Sequence, residues 1–348
     1  VRLPILASLV VVWIVCWVIV FFGVERGVER ANKIFMPLLF LLTAILVVWT
    51  LFLPGASEGF ARYLKPDFSK LAEPKVWIDA YAQTFFTLSI GFGIMVTYAS
   101  YLPRKADINT SAAITCLVDT AYSLFAGLAV FGTLGYMAHQ TGKPFEEVVQ
   151  KSIGLAFVAY PQAISVLPSF AKLFGVLFFS TLVVAGIASA ISILEAFTAA
   201  VIDKFHYRRK VVVSVLSIVG FLGGVVFTTG GGMFWLDIVD HFLSEYGLFF
   251  ACILQCVLIG WVFKAATLRE YVNSLSLWKV GRWWEWSIRF LVPGVLFLLL
   301  INGFVKEFST PYGDYPWLAL LLIGRDWLLV TLIVALFVAA RPWRRPLD

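Results

Sequence analysis

Nine apolar segments, each long enough to cross a bilayer, constrain the fold of this chain more than any other feature of its sequence. A helix that spans the hydrocarbon core needs about 20 consecutive, mostly apolar residues. Inside that core every backbone polar group must be paired, and an α-helix achieves this within one segment. We predict spans at about Leu3–Phe22, Pro37–Leu53, Val76–Leu102, Asn109–Ala138, Ser169–Asp203, Val211–Thr228, Trp235–Phe263, Trp286–Val305 and Trp317–Ala340. We expect the fourth and fifth spans to be joined by a loop broken at Pro161 and Pro168.

Composition excludes a soluble domain, because hydrophobic residues make up 61% of the chain. The four cysteines, Cys16, Cys116, Cys252 and Cys256, fall in apolar spans, and we interpret them as packing residues rather than as a metal site or a disulfide. The three histidines have no metal-ligand spacing. We therefore expect no organic cofactor, and the sequence indicates no nucleic-acid partner.

The third span has an unusually polar and flexible middle. It contains Thr87, Ser89, Gly91 and Gly93, and each glycine costs about 1 kcal/mol relative to alanine inside a helix. The span is therefore most easily unwound at this point, and an unwound helix at membrane depth is typical of a transporter's binding site. The same residues would also suit a packing face on which two membrane helices approach closely.

The residues around this break resemble a known family. The string TFFTLSIGFG at 84–93, followed by TYASY at 97–101, resembles the sixth membrane helix of the neurotransmitter:sodium symporter family, which includes the bacterial leucine transporter. GVERANKIFMP at 27–37 and WLDIVDHF at 235–242 resemble other signatures of the family. The resemblance extends over nearly the whole chain. It implies an all-α polytopic membrane protein with a partial leucine-transporter-like inverted-repeat fold.

The resemblance also implies a division of the chain, which is similar to spans 4–12 of a twelve-span transporter. Residues 1–53 would be the last two helices of the first inverted repeat, and residues 76–263 would be the second repeat, with its broken helix at 76–102. Residues 284–340 would be a final helix pair, and 341–348 a tail. The first three helices of the same protein would then precede this chain as a missing partner segment.

Basic residues are unevenly distributed between the loops. If the C-terminal tail is cytoplasmic, the tail and the alternate loops carry sixteen Lys and Arg, and the opposite loops carry about half as many. Cytoplasmic loops of membrane proteins carry the excess of Lys and Arg. We therefore predict an integral protein of the bacterial inner (plasma) membrane, with the N-terminus of this chain outside and the C-terminus cytoplasmic.

The resemblance implies a first sodium site that includes Thr87, whose hydroxyl matches a sodium ligand of the family. Asp119 aligns with a neighbouring ligand position. Chloride-dependent relatives balance the sodium charge here with an anion, and Ser123 is the residue found in them. A carboxylate at mid-depth in a membrane is costly and indicates function. Asp119 is therefore expected to supply the balancing charge in place of chloride, and a purely structural aspartate is the alternative.

A second sodium site is implied by the run Ala185-Gly-Ile-Ala-Ser189. The Ala185 carbonyl and the Ser189 hydroxyl match ligands of this site. The family usually has an oxygen-bearing side chain where this chain has Ala188, which weakens the expectation of a functional second site. The same small residues also suit helix packing.

The substrate pocket and the gates are implied by the resemblance as well. Aromatic rings around a small unwound core favour an apolar substrate side chain. The matching pocket positions are Phe86, Ser89, Phe92, Ser189 and Ile193. The matching gate positions are Gln83 and Asp240 on the outer side, and Tyr101 and Asp203 on the inner side.

The sequence thus predicts a sodium symporter that imports a neutral, hydrophobic amino acid by alternating access within the lipid bilayer. A regulatory or amino-acid-sensing relative of the same fold, which no longer transports, is the alternative that Ala188 raises. A membrane-embedded enzyme would need paired carboxylates, an HExxH-type helix or a Ser–His arrangement, and the sequence has none of these patterns. A channel would be expected to have repeated polar faces or an Arg-rich sensor, which the sequence also lacks.

Overall fold

A computed structural model describes residues 2–148, 154–167, 170–313 and 315–343. Within these ranges the chain is helical, and no β-strand occurs. In chain order the helices are α1 Leu3–Phe21, α2 Val24–Leu51, α3 Ala56–Leu64, α4 Pro74–Thr87, α5 Ile94–Ser100, α6 Ile108–Thr141, α7 Phe145–Val148, α8 Leu155–Ser165, α9 Ala171–Phe205, α10 Arg209–Thr228, α11 Gly232–Val262, α12 Ala265–Leu275, α13 Arg282–Ser309 and α14 Trp317–Ala340.

Eight of these helices are long and apolar enough to cross a membrane, namely α1, α2, α6, α9, α10, α11, α13 and α14. The remaining predicted span is the broken one, and the structure divides it into α4 and α5. The prediction of an all-α polytopic protein with an interrupted third span is therefore confirmed.

Two prolines lie inside helices where the sequence predicted a boundary or a loop. α2 begins at Val24 and runs through Pro37, so the prediction that Pro37 opens the second span is wrong. Proline removes one backbone hydrogen bond, a loss that membrane helices tolerate through neighbouring groups and local adjustment. α8 likewise runs through Pro161, which occupies the first turn of a regular segment, where the missing N–H costs little. Pro168 lies outside the described residues.

Backbone contacts divide the chain into two units. The large unit comprises Val1–Phe21, Pro74–Cys116 and Ser192–Asp348, and the small unit comprises Phe22–Glu73 and Leu117–Ile191. The helices α6 and α9 each contribute one end to each unit. The broken span, α4 and α5, belongs wholly to the large unit.

The core of the small unit is aromatic and aliphatic. Leu46 and Val47 of α2 are buried with Tyr160 of α8 and Phe178 of α9. The rings of Tyr160 and Phe178 stack with their centroids 3.8 Å apart. This packing places the α9 segment that carries Ala185 and Ser189 on a rigid support.

The core of the large unit lies against the broken span. Phe249 and Cys252 of α11 are buried with Leu296 and Leu299 of α13, and Ala82, Phe85 and Ile90 pack against this cluster. α4 and the start of the break are therefore held by apolar burial on one side. Cys16, Cys252 and Cys256 are buried free thiols, as expected for packing residues, whereas Cys116 on α6 is exposed, which differs from the packing role predicted for it.

The last membrane helix is tied to the end of α9 by a buried lysine. Lys204 is 8% exposed, and its Nζ donates a hydrogen bond of 2.7 Å to the carbonyl of Ala339. The ammonium also lies 5.4 Å from the centroid of the Trp343 ring. Hydrogen bonding and a cation–π contact thus compensate for the burial of this charge.

Candidate functional site

The centre of the broken span leaves helical geometry at residues 88–93. Ser89, Gly91 and Gly93 have φ values of +53°, +91° and +75°, a backbone region that residues other than glycine rarely adopt. A Cβ atom at Gly91 would also lie 2.9 Å from the Cys252 Sγ and 3.2 Å from the Leu248 carbonyl oxygen. Gly91 is therefore required both by its backbone angle and by the close approach of α11. The predicted unwinding at these glycines is confirmed.

Two predicted pocket residues meet across the break. The rings of Phe86 on α4 and Phe92 are 6.3 Å apart and nearly perpendicular. Phe92 also lines a cavity of about 550 Å³, whose wall includes Thr97 of α5, Phe197 of α9 and Gln255 of α11. This cavity is mostly apolar, with Thr97 and Gln255 as the polar side chains in its wall.

The other predicted residues near the break are half-buried or exposed, and Thr87 forms a long hydrogen bond. Thr87 is half-buried, and its hydroxyl donates to the Thr84 carbonyl across 3.4 Å, which is a long hydrogen bond. Ser89 is half-buried, and Gln83 is exposed on α4. Ile193 is 37% exposed on α9. The hydroxyl of Thr87 is therefore available to a ligand at the end of α4.

α9 lies against α5 next to Ile193. The Tyr98 hydroxyl of α5 donates a 2.7 Å hydrogen bond to the Ser192 Oγ. This bond fixes the position of the α9 turn that carries Ile193. The structure thus brings Ile193 to the second half of the broken span.

The remaining predicted ion-site residues belong to the small unit. Asp119 is half-buried on α6 and forms no hydrogen bond or ion pair with the described residues. On α9, Ala185 is half-buried, Ser189 is exposed and Ala188 is 8% exposed. A carboxylate on a membrane helix is costly unless it has a partner, and a bound cation would supply one.

The strongest polar cluster of the large unit was not predicted from the sequence. Glu195 of α9 is fully buried, and the guanidinium of Arg209 holds its carboxylate with two hydrogen bonds, one of them 3.0 Å long. The Tyr101 hydroxyl donates a third, of 2.7 Å. Arg209 also donates to the Val20 carbonyl from Nε and Nη2, at 3.2 and 2.9 Å. We call Tyr101, Glu195 and Arg209 the Glu195 cluster.

A charged residue in the middle of an apolar helix is the signal that could have found this cluster. Glu195 interrupts the apolar sequence of α9, and Arg209 follows it at the start of α10. Tyr101, predicted as a gate with Asp203, is bonded to Glu195 instead. Asp203 is exposed and forms no hydrogen bond or ion pair within the described ranges.

A second polar cluster surrounds Asp237 on α11. Its carboxylate accepts hydrogen bonds from the hydroxyls of Tyr312, at 3.1 Å, and Tyr315, at 2.8 Å, and it borders a cavity of about 730 Å³. Burial and the neighbouring Asp237 carboxylate raise the pKa of Tyr315 to about 12. The predicted gate residue Asp240 lies on the next turn and is exposed.

Beside this cluster, His241 bridges α11 and α13. Its Nε2 is 3.1 Å from a carboxylate oxygen of Glu307, and its ring stacks on Tyr312 with the centroids 3.7 Å apart. The backbone N–H of Tyr312 donates to the same Glu307 carboxylate at 3.1 Å. The loop after α13 is thus fixed to α11 by side chains of both helices.

The loop that follows the broken span is fixed by Asp107. Its carboxylate accepts the backbone N–H groups of Leu277, at 2.8 Å, and Thr110, at 3.0 Å, and these bonds hold its pKa at about 2. Asp107 thereby caps α6, which begins at Ile108 rather than at the predicted Asn109. The Asn109 amide instead donates to Asn273 and to the Trp278 carbonyl, at 3.1 and 2.9 Å.

Comparison of the sequence with known proteins identifies a matching family. The sequence model of the sodium:neurotransmitter symporter family matches residues 4–344. An uncharacterized sodium-dependent transporter of Methanocaldococcus jannaschii is 44% identical over 311 residues, which are 89% of this chain and 63% of the relative.

Two animal relatives are also similar. The creatine transporter of Torpedo marmorata is 35% identical over 293 residues, 80% of this chain and 47% of the relative. The human sodium- and chloride-dependent neutral and basic amino acid transporter B(0+) is 33% identical over 282 residues, 78% of this chain and 44% of the relative. The chain therefore spans between 44% and 63% of the length of these relatives.

Proposed function

The chain belongs to the sodium:neurotransmitter symporter family, and from this membership we propose that it is part of a sodium-coupled symporter that imports a neutral, hydrophobic amino acid. The family is one of integral membrane transporters rather than enzymes. The observation that carries the proposal is the break at residues 88–93, with Thr87 at its start and Phe86 and Phe92 in contact across it. Broken helices of this kind form ion and substrate sites in transporters.

We propose that sodium, as a co-transported substrate, binds at two places. The first uses the Thr87 hydroxyl, with Asp119 supplying negative charge. The second uses the Ala185 carbonyl and the Ser189 hydroxyl, and it is weakened because Ala188 offers no side-chain oxygen. Three helices that precede this chain in the same protein are proposed to complete both sites.

The substrate's side chain is proposed to lie between Phe86, Phe92 and Ile193, with Ser89 and Ser189 at the polar end. The apolar wall around Phe92 favours a hydrophobic side chain, because a charged one would lose its hydration without gaining a partner. Gln83 and Asp240 are proposed to close the outer side. Tyr101 and Asp203 are proposed to close the inner side, and the excess of basic residues in the loops on that side supports a cytoplasmic location for it.

Uptake into proteoliposomes tests the proposal. The protein, reconstituted at full length, is given an inward sodium gradient or an equal potassium gradient, with leucine, lysine or creatine as the labelled substrate. We expect leucine uptake that depends on sodium, and little uptake of the other two. Equal leucine uptake in both gradients would contradict sodium coupling, and preferred uptake of lysine or creatine would contradict the proposed substrate.

A second experiment tests the role of Asp119. Two sodium ions and a zwitterionic substrate bring net positive charge into a poorly hydrated cavity, where an uncompensated charge costs several kcal/mol. We expect wild-type transport to be independent of chloride. Asp119→Asn should lose most activity without chloride and regain part of it when chloride is added, because Ser123 is already present.

The matched control is Asp79→Asn, which removes an exposed carboxylate from α4. It should leave transport unchanged in either buffer. A wild-type protein that requires chloride, or an Asp119→Asn protein that transports normally without it, would remove Asp119 from this role.

Ala188 favours one other function, that of an amino-acid sensor which binds but does not transport. A sensor would bind leucine in a sodium-dependent manner in detergent and would show no uptake in either gradient. Measuring binding and uptake on the same preparation distinguishes the two functions.

A further inference from the structure

A groove runs between α1 and α10, two helices of the large unit. α1 and α10 pack antiparallel, with the Arg2 N–H donating to the Thr228 carbonyl at one end and Arg209 donating to the Val20 carbonyl at the other. The groove between them has a volume of about 430 Å³. Its apolar wall includes Trp13 and Trp17 of α1 and Ile218 and Phe221 of α10. We call it the α1–α10 groove.

The groove has a positive charge at one end. Lys210 lies one turn before Ser214 on α10, on the helix face that carries Ser217 and Phe221. Its Nζ lies 5.4 Å from the centroid of the Phe21 ring, which continues the row of Trp13 and Trp17 on α1. Lys210 is exposed, so its ammonium is accessible to an anion at the mouth of the groove.

The groove also contains a buried hydroxyl without a partner. Ser217 is 6% exposed, and its Oγ has no hydrogen bond within the described part of the chain. The neighbouring Ser214 differs, because its Oγ accepts the Trp17 Nε1–H at 3.0 Å and donates to the Lys210 carbonyl. An unpaired buried hydroxyl is costly, and an acceptor atom on a bound molecule would remove that cost.

The length of the groove matches one leaflet of a bilayer. Lys210 and Phe221 are eleven residues apart on α10, which corresponds to about 16 Å along the axis. Half of the hydrocarbon core is about 15 Å thick. A molecule with an anionic head and a tail of one-leaflet length would therefore fill the groove from the lysine to the phenylalanine.

We propose that the α1–α10 groove binds one anionic phospholipid. Its phosphate pairs with the Lys210 ammonium, and an ester carbonyl accepts the Ser217 hydroxyl. One acyl chain lies along Trp13 and Ile218. A second copy of this chain fits less well, because a two-fold interface on this face would include the Lys210 ammonium groups of both copies.

Photolabelling tests this site. The full-length protein is placed in phosphatidylcholine nanodiscs with a small fraction of phosphatidylglycerol that carries a photoreactive acyl chain. A parallel sample carries the same chain on phosphatidylcholine. We expect phosphatidylglycerol to label peptides containing Trp13, Trp17 and Ile218 more strongly than phosphatidylcholine does.

Three variants sharpen the test. Lys210→Gln should weaken the phosphatidylglycerol label about fivefold, the effect of one basic side chain near an anionic membrane surface. Ile218→Trp should fill the groove and remove the label of both lipids. Lys279→Gln removes an exposed charge from the loop after α12 and should change neither label.

Equal labelling by the two lipids, unchanged in Lys210→Gln, would mean that the groove holds ordinary annular lipid and would overturn the proposal. Absence of label together with cross-links between copies through α1 and α10 would assign the face to a dimer instead. Because Lys210 is exposed, its replacement is not expected to impair folding, and size-exclusion chromatography of each variant checks this.

Discussion

The centre and the far end of one interrupted span differ sharply in how their polar groups are satisfied. At the break, the Thr87 hydroxyl donates a long hydrogen bond to the Thr84 carbonyl, and Ser89 is held in an unusual backbone conformation. At the far end, Tyr101 joins a buried carboxylate that receives three hydrogen bonds within the Glu195 cluster. The span is therefore fixed at its end and leaves its centre available to ligands.

The largest expected effect comes from breaking the fixed end. Arg209→Met removes the charge partner of Glu195 and leaves a fully buried carboxylate with the Tyr101 hydroxyl as its remaining donor among those described here. Removing one partner of a buried ion pair costs about 3–5 kcal/mol. We expect a large fall in the thermal unfolding temperature in detergent, followed by intrinsic fluorescence.

The double variant Glu195→Leu/Arg209→Met is the control for that prediction. It removes both charges, and apolar replacements of a buried ion pair are often neutral or stabilising. It should therefore be more stable than Arg209→Met alone. A double variant that is less stable than the single one would mean that the charge pairing of the Glu195 cluster does not stabilise the protein.

An intermediate effect is expected at the break itself. Gly91→Ala introduces a Cβ at φ +91° and within 3.2 Å of the Leu248 carbonyl, whereas Gly93→Ala introduces one at φ +75° with no atom within 4 Å. An alanine in this left-handed backbone conformation costs about 1–2 kcal/mol of folding stability at either position. Only Gly91→Ala also brings its methyl group too close to α11, so this variant should unfold at the lower temperature. Equal unfolding temperatures would show that α11 does not restrict the break.

A smaller difference in stability is expected between variants of Tyr98 and Tyr101, in the second half of the span. Tyr101→Phe removes a hydrogen bond to a carboxylate, worth about 1.5–3 kcal/mol, and Tyr98→Phe removes one to a hydroxyl, worth about 0.5–1.5 kcal/mol. We expect Tyr101→Phe to be the more destabilising change in the same thermal assay. The reverse order would place the stronger restraint next to Ile193 rather than at the Glu195 cluster.

The smallest effect concerns the loop beyond Tyr101. The pKa of Asp107 is lowered from 3.8 to about 2, so its contribution to stability is complete above about pH 4 and is lost as the pH falls towards 2. The wild-type unfolding temperature should therefore fall between pH 4 and pH 2. Asp107→Asn should show a shallower fall over that interval. Parallel curves for the two proteins would exclude Asp107 as the titrating group.

The sequence predicted what depends on composition and on local backbone preference. The number and type of spans follow from hydrophobic length, and the break follows from Gly91 and Gly93. Helix starts were less predictable, because two prolines lie within helices. Pro37 lies inside a membrane helix, where neighbouring groups compensate for its missing hydrogen bond, and Pro161 lies in a first turn, where the missing N–H costs little. The Glu195 cluster escaped prediction because Tyr101 follows α5, Glu195 lies on α9 and Arg209 lies on α10, so the three residues meet only in the fold.

The contact between Lys204 and Ala339 has a consequence for biosynthesis. The two residues are 135 positions apart in the chain, so the acceptor of this buried ammonium is synthesised long after the lysine has left the ribosome. Until α14 is inserted, Lys204 lacks the carbonyl and the Trp343 ring that compensate for its burial. The end of α9 is therefore completed only after α14 has been synthesised, and a nascent chain stalled before α14 exposes an unmatched lysine next to Asp203.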